Sequence, residues 1–284
     1  TFYNYVTGSN MTIIDKIDKI QLPKTDKYFE KSSMDGYAFY GAARINLGLD
    51  TELMKHEVSN RCFGLNKTWN RKDGILLPAD EPYTYTCFPC YMFYNGLNDN
   101  TGLDKVISTL DLIGRYPSGM MRYCNTEINL EVPNVSALAA YMYSHYNISI
   151  TYDLIRVLHN RQLSSGNWQY TGLNSHTKRV MRCEDTAHLA MMVIGLRGVE
   201  NITGIKTNDM VKKAQACLCS MNEPKFPIKA IDWGPPFLYV AMLGTGHPIE
   251  IRAKNRSIEL LEHTNFRVRA IASWALSVNF IYGK

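Results

Sequence analysis

The chain has no apolar run near the roughly 18 residues that a membrane-spanning helix requires, so a helical membrane span is not expected. It has no block of basic residues either. Its 31 Lys and Arg against 26 Asp and Glu give a net charge of +5 that is spread along the sequence. A nucleic-acid binder concentrates such charge in one stripe, so nucleic acid is not an expected partner. The seven cysteines (Cys62, Cys87, Cys90, Cys124, Cys183, Cys217, Cys219) form an odd set without the spacing of a disulfide framework. Cys87 and Cys90 make the one CxxC, and no second CxxC or histidine pair completes a zinc site. Buried free thiols are the expectation, and no metal or cofactor is expected. Strand-like alternation is weak throughout. No signal peptide is visible in the sequence, whose start at Thr1 without Met is compatible with earlier processing, and the composition, 45% hydrophobic and 20% charged, is that of a soluble globular domain. Six N-x-[ST] sequons, at Asn10, Asn66, Asn134, Asn147, Asn201 and Asn255, are compatible with secretion.

What the chain does have is a repeat of about fifty residues, the length of a stacked supersecondary unit. Apolar segments recur at 37–42, 88–93, 137–142, 187–192 and 237–242, and 270–276 closes a shortened unit. Amphipathic segments alternate with them, at 15–20, 102–115, 150–161, 206–219 and 249–263. In one of these, Ile150, Leu154, Val157 and Leu158 recur at helical spacing, while Arg156, Asn160 and Arg161 fall on other faces. The stretch 187–196, by contrast, is apolar almost all the way round, as a helix buried on every side must be. One-sided helices alternating with all-round apolar ones predict an outer and an inner ring. The expected fold is all-α, an (α/α)6 toroid of six helical hairpins in a single domain over 1–284, with an open six-hairpin solenoid as the alternative. Gly74, Gly119 and Gly166 mark loops from an outer helix to the next inner one. Leu196-Arg197-Gly198 and Met242-Leu243-Gly244 read as helix stops with a C-terminal glycine. Asp35, Asp185 and Asn208 read as caps or first-turn acids. A small hairpin fits within 66–84 or 164–180.

The motif Gln162-Leu-Ser-Ser-Gly166-Asn-Trp168 resembles the Q-x(2–5)-G-x-W repeat of terpenoid cyclases. Glu184-Asp185-Thr186-Ala187 resembles the acidic D-T-A start of an inner helix in the same superfamily, which includes protein prenyltransferases. Tyr116-Pro-Ser-Gly119-Met-Met-Arg-Tyr123 is a degenerate copy of the first motif. The resemblance implies the toroid, with Gln capping helix ends and Trp packed over the next helix. It does not bring that superfamily's catalytic groups. Where a class II cyclase carries an Asp-x-Asp-Asp acid, this chain reads Arg182-Cys183-Glu184-Asp185. Asp185 fits the aspartate of the prenyltransferase zinc site, but Ala187 stands where its cysteine is expected and His188 falls on another helical face. Arg179-x-x-Arg182-x-x-Asp185 is similar to the spacing that holds a diphosphate there. The G-x-W motif with an acidic inner-helix start is also similar to that of unsaturated-uronyl hydrolases. Toroids host glycoside hydrolases and polysaccharide lyases too, and fold alone does not select among these chemistries.

A site is expected where the inner-helix N-termini converge, because helix dipoles and unpaired N–H groups favour anionic ligands there. The junctions supply Asp35 and Tyr37, then Trp69, Arg71, Tyr83 and Tyr85, and then Arg122, Tyr123, Asn125, Glu127, Glu131 and Asn134. The fourth junction is the richest, with Trp168, Tyr170, His176, Lys178, Arg179, Arg182, Glu184, Asp185 and His188, and Asp232, Trp233, Asn265, Arg267 and Arg269 follow. Aromatic faces with arginine forks suit acidic sugars. A lyase would take the C5 proton with Tyr170 or His176, and Arg or Asn would stabilise the enolate. A hydrolase would use two carboxyl groups among Glu184, Asp185 and Asp232. Arg122, Tyr123, Asn134, Trp168, Arg179, Arg182 and Trp233 are the expected substrate contacts. Each residue has a structural reading beside this one. Asp185 is also a helix-start acid, Trp168 a packing residue, His188 a hydrogen-bonded core histidine, and Arg179 and Arg182 partners for Glu184 and Asp185. The leading expectation is a lyase or glycoside hydrolase acting on an anionic oligosaccharide. An isoprenoid enzyme and a non-catalytic binding or structural module are the alternatives.

Overall fold

The computed structural model describes residues 13–22, 34–62, 84–123, 131–171, 178–180, 186–221 and 234–282. Twelve helices follow in order: α1 (13–18), α2 (Met34–Asn46), α3 (Glu52–Cys62), α4 (Thr84–Leu97), α5 (Asn100–Ile113) and α6 (Pro133–Tyr143). After them come α7 (Ile148–Arg161), α8 (Thr186–Thr203), α9 (Asn208–Met221), α10 (Gly234–Met242), α11 (Pro248–Leu260) and α12 (Phe266–Tyr282). All six apolar repeat segments lie in the even-numbered helices, and the five amphipathic ones lie in α1, α5, α7, α9 and α11. The remaining outer helix, α3, was not legible as amphipathic.

The even helices pack side to side as α2, α4, α6, α8, α10 and α12, and α12 packs back on α2. That last contact closes the ring, so the fold is the (α/α)6 toroid and not the open solenoid. Each odd helix lies outside its inner neighbour. Burial explains the division. In α6 every residue but Tyr141 is buried, and α8 buries 12 of its 18, whereas α7 buries only Thr151, Leu154, Ile155 and Leu158. Cys87 and Cys90 of the CxxC are buried in α4.

The axis of the ring is filled by aromatic side chains. Phe39 of α2 meets Phe237 of α10 at 5.9 Å between ring centroids, and Phe88 of α4 meets Trp274 of α12 at 6.0 Å. Neither pair belongs to neighbouring inner helices, so both contacts cross the interior. Phe39 and Phe237 also pack on Trp274, at 5.2 and 5.5 Å. Opposite these large groups α8 brings glycine. A Cβ at Gly195 would fall 2.5 Å from the Ala137 backbone, and one at Gly198 2.6 Å from the Tyr141 ring. The Leu196-Arg197-Gly198 stop expected from the sequence is therefore corrected. Gly198 lies inside α8, where close approach to α6 requires it, and the chain turns at Gly204 with φ 73°.

The Q-x-x-x-G-x-W motif builds a small repeated loop. Gln162 and Trp168 form an antiparallel bridge, as do Arg115 and Met121 in the degenerate copy. Leu163 N–H donates to Asn167 O, and Tyr116 N–H donates to Met120 O in the same way. The Gln162 amide donates to Gly166 O and to Met210 O of α9, tying the loop to the next outer helix. A short hairpin follows, β1 (Gln169–Thr171) antiparallel to β2 (Lys178–Val180), with Tyr170 opposite Arg179.

Gly166 has φ 83°, and a Cβ there would fall 2.1 Å from Lys213 O, whereas Gly244, with φ 82°, has open space around it. Gly244→Ala should cost about 1–3 kcal/mol from backbone strain alone. Gly166→Ala should cost clearly more, because the clash with α9 adds to that strain; denaturant melts of the two variants measure the difference. Burial, followed by the nearby Glu250 carboxylate, pushes the Tyr239 hydroxyl up to about 12. An unfolded tyrosine titrates near 10, so ionising the buried hydroxyl costs about 2–3 kcal/mol of stability, a loss absent below pH 10 that develops as pH rises towards 12. Tyr239→Phe should flatten alkaline unfolding over that window and leave stability near neutral pH much less changed.

Candidate functional site

The two ends of the toroid differ in their connections. Where inner helices run out to outer ones the links are short, as at 98–99, 144–147 and 204–207, while links into inner helices include 63–83, 114–132 and 162–185. The inner-helix N-termini thus carry the longer segments, and the described residues gather a polar and aromatic cluster there.

Its anchor is an ion pair. Arg267, in the first turn of α12, donates from Nε to Asp35 Oδ1 at 2.8 Å and from Nη2 to Oδ2 at 2.6 Å. Asp35 is buried in the first turn of α2, so the pair spans the seam where the ring closes. Gly36 lets the helices approach, since a Cβ there would meet the Arg267 backbone at 3.2 Å. Burial works against the charge of Arg267, but the Asp35 carboxylate outweighs it, with a smaller share from Tyr123, and the guanidinium pKa stands above its usual value.

Tyr123 connects this seam to the opposite side of the mouth. The chain before α6 is held on the N-terminus of α4, where Thr84 N–H donates to Tyr123 O and Thr84 Oγ1 to Arg122 O. The Tyr123 ring meets Tyr85 of α4 edge-on at 5.2 Å, and Tyr85 lies parallel to the His188 ring of α8 at 6.3 Å. Asn134, at the start of α6, completes the cluster. It is fully buried, its Nδ2 donates to the Tyr85 hydroxyl and approaches Met191 Sδ at 3.5 Å, and its Oδ1 has no partner among the described residues.

Of the expected site residues, Tyr123 and Asn134 belong to this cluster. Arg122 lies beside it with its guanidinium 5.3 Å from the Tyr116 ring centre. Trp168 is corrected to a packing residue: it is fully buried and its Nε1 donates to Leu158 O, which leaves no face for a substrate. Glu131 is held by Arg161 at 2.7 Å. Tyr170 and Arg179 sit opposite each other in the hairpin backbone. His176, Arg182, Glu184, Asp185, Asp232 and Trp233 lie outside the described residues, as do Trp69, Arg71, Tyr83, Asn125 and Glu127. Tyr85 and His188 were read only as junction and core residues, and nothing in their spacing signalled that they would stack on each other. No three His, Cys, Asp or Glu side chains gather as a metal site among the described residues.

Among solved structures, the chain is similar to a family 76 glycoside hydrolase from a bovine Bacteroides thetaiotaomicron strain. The TM-score is 0.64 over 99% of this chain and 79% of that chain, at 10% sequence identity. The likeness is one of fold. No protein-family model matches the chain, and no curated protein sequence does. The comparisons thus support an α/α toroid of the kind found in glycoside hydrolases, and they lend no support to the terpenoid-cyclase or lyase readings.

Asp35→Ala should destabilise the fold by about 3 kcal/mol, since it strands a largely buried guanidinium. Asp35→Leu combined with Arg267→Met should recover most of that loss in thermal melts. A double variant as unstable as the single one would show that packing, and not charge, holds the seam.

Proposed function

We propose that the protein is a glycoside hydrolase-like enzyme that binds an acidic glycan at the N-terminal mouth of its inner ring. The observation that carries this reading is the pair of half-buried rings at that mouth, Tyr123 and Tyr85, which meet edge-on at 5.2 Å. The buried Asn134 amide holds the Tyr85 hydroxyl from below, and Tyr85 stacks on His188. Aromatic faces fixed in this way suit a pyranose ring. The shared toroid supports hydrolysis by analogy only.

Asp35 is excluded as the catalytic acid because Arg267 holds both its oxygens. The reaction then falls to Glu184, Asp185 and Asp232, two of which would flank the scissile bond as acid and as base or nucleophile. Arg122, Arg179 and Arg182 would supply the preference for a carboxylate or sulfate on the sugar, with Tyr123 and Trp233 stacking on its rings. Tyr170 and His176 would complete the rim.

The test is a screen of uronate-containing and neutral polysaccharides, read by new reducing ends. Cleavage of an acidic polymer without the ultraviolet absorbance of an unsaturated uronate is expected. Asp185→Asn or Asp232→Asn should then lower turnover by about 10²–10⁴-fold with binding retained. A folded protein that neither binds nor cleaves any of these polymers overturns the reading.

A further inference from the structure

The opposite end of the toroid holds a cavity that the proposed reaction does not use. It is an open recess, about 550 Å³ when the solvent at its mouth is counted. Its walls come from the C-terminal halves of the inner helices and include Tyr141, Ile194, Val240 and Leu243. Phe88 and Trp274 of the axial aromatic cluster also line it, so that cluster separates it from the other mouth.

Three polar features break this apolar lining. Trp274 is 1% exposed and its Nε1–H has no acceptor among the described residues. Arg197 lines the cavity with no carboxylate partner among the described residues, and its one hydrogen bond goes from Nη1 to Leu243 O at 3.2 Å. Asn201, one helical turn further along α8, is exposed and also part of the lining. A guanidinium offers five N–H donors, so most of those on Arg197 remain for another acceptor. The inner-helix C-termini disfavour an anion by partial charges that fade within a turn, while Arg197 contributes a full positive charge.

We propose that this cavity binds an anionic amphiphile, an alkyl or aryl carboxylate, with its apolar body against Ile194, Val240 and Trp274 and its carboxylate on Arg197. Two of the polar groups in the wall are donors only, and Asn201 can donate as well, so an oxygen acceptor complements them where an ammonium would not. The site is independent of the glycan reading.

Calorimetric titration of the intact protein with decanoate and with 1-decanol tests the assignment. Saturable decanoate binding is expected, at least about tenfold tighter than decanol. Arg197→Met should bring decanoate down to the decanol level, and Val240→Trp should abolish both by filling the cavity. Brominated decanoate should quench part of the tryptophan emission in the native chain but not in Trp274→Phe, a variant that keeps an aromatic wall. Glycan cleavage should be unchanged in all three variants. Absence of decanoate binding, equal affinity for the two probes, or binding that survives Val240→Trp in a protein with unaltered helical signal would each overturn the proposal.

Discussion

The crossing of Phe39, Phe88, Phe237 and Trp274 at the axis is the contact around which the toroid is organised. A ring of six helices encloses a space that must be filled or wetted, and here four of them fill it with aromatic rings. Such pairs add to the apolar area they bury by their edge-on geometry. Their bulk sets how far apart α2, α4, α10 and α12 can stand. The remaining wall then has to come in, and Gly195 and Gly198 let α8 do so against Ala137 and Tyr141. Large residues on one side and absent side chains on the other are one packing solution.

That solution also shows why function is confined to the ends. With the middle of the ring closed, each mouth is a separate compartment with its own chemistry. The N-terminal mouth has longer connections, helix ends that favour anions, and a cluster running from Asp35 and Arg267 through Tyr123 and Tyr85 to Asn134 and His188. The C-terminal mouth has short connections, so its character is set by the inner helices themselves. Its polar groups, Arg197 and Asn201, stand near the C-terminal end of α8, which is buried nearly all round only as far as Val199.

The architecture was legible in the sequence because its signal is repeated. All-round apolar segments such as 187–192 can only be inner helices, and one-sided patterns such as 150–161 can only be outer ones. The loop glycines were legible too, since Gly119 and Gly166 repeat one geometry. Less could be read where one residue serves two ends. Gly198 looked like a helix stop, because a glycine after a long apolar run has the same local signature whether it ends the helix or admits a neighbouring ring. Trp168 looked available to a ligand because its motif does not say which way the indole turns. The site was least legible where partners are distant in sequence. Asp35 was readable as a first-turn acid, but nothing local announces that its counter-charge lies at Arg267, 232 residues away. Arg197 and Asn201 could have been noticed as the polar pair one turn apart on an apolar helix.

The same separation bears on how the chain reaches this structure. Each hairpin of neighbouring helices is local and can assemble early, but the seam joins Asp35 to Arg267 and Asn46 to Ser277 across most of the sequence. The entropy of closing so long a loop grows only logarithmically with its length. It is repaid only once everything between is already stacked, and contacts of this kind slow folding. The axial rings need α2, α10 and α12 together, so the interior fills in the same event that shuts the ring. Until then α2 and α12 each present an apolar flank, and the last step of folding is the one that hides both.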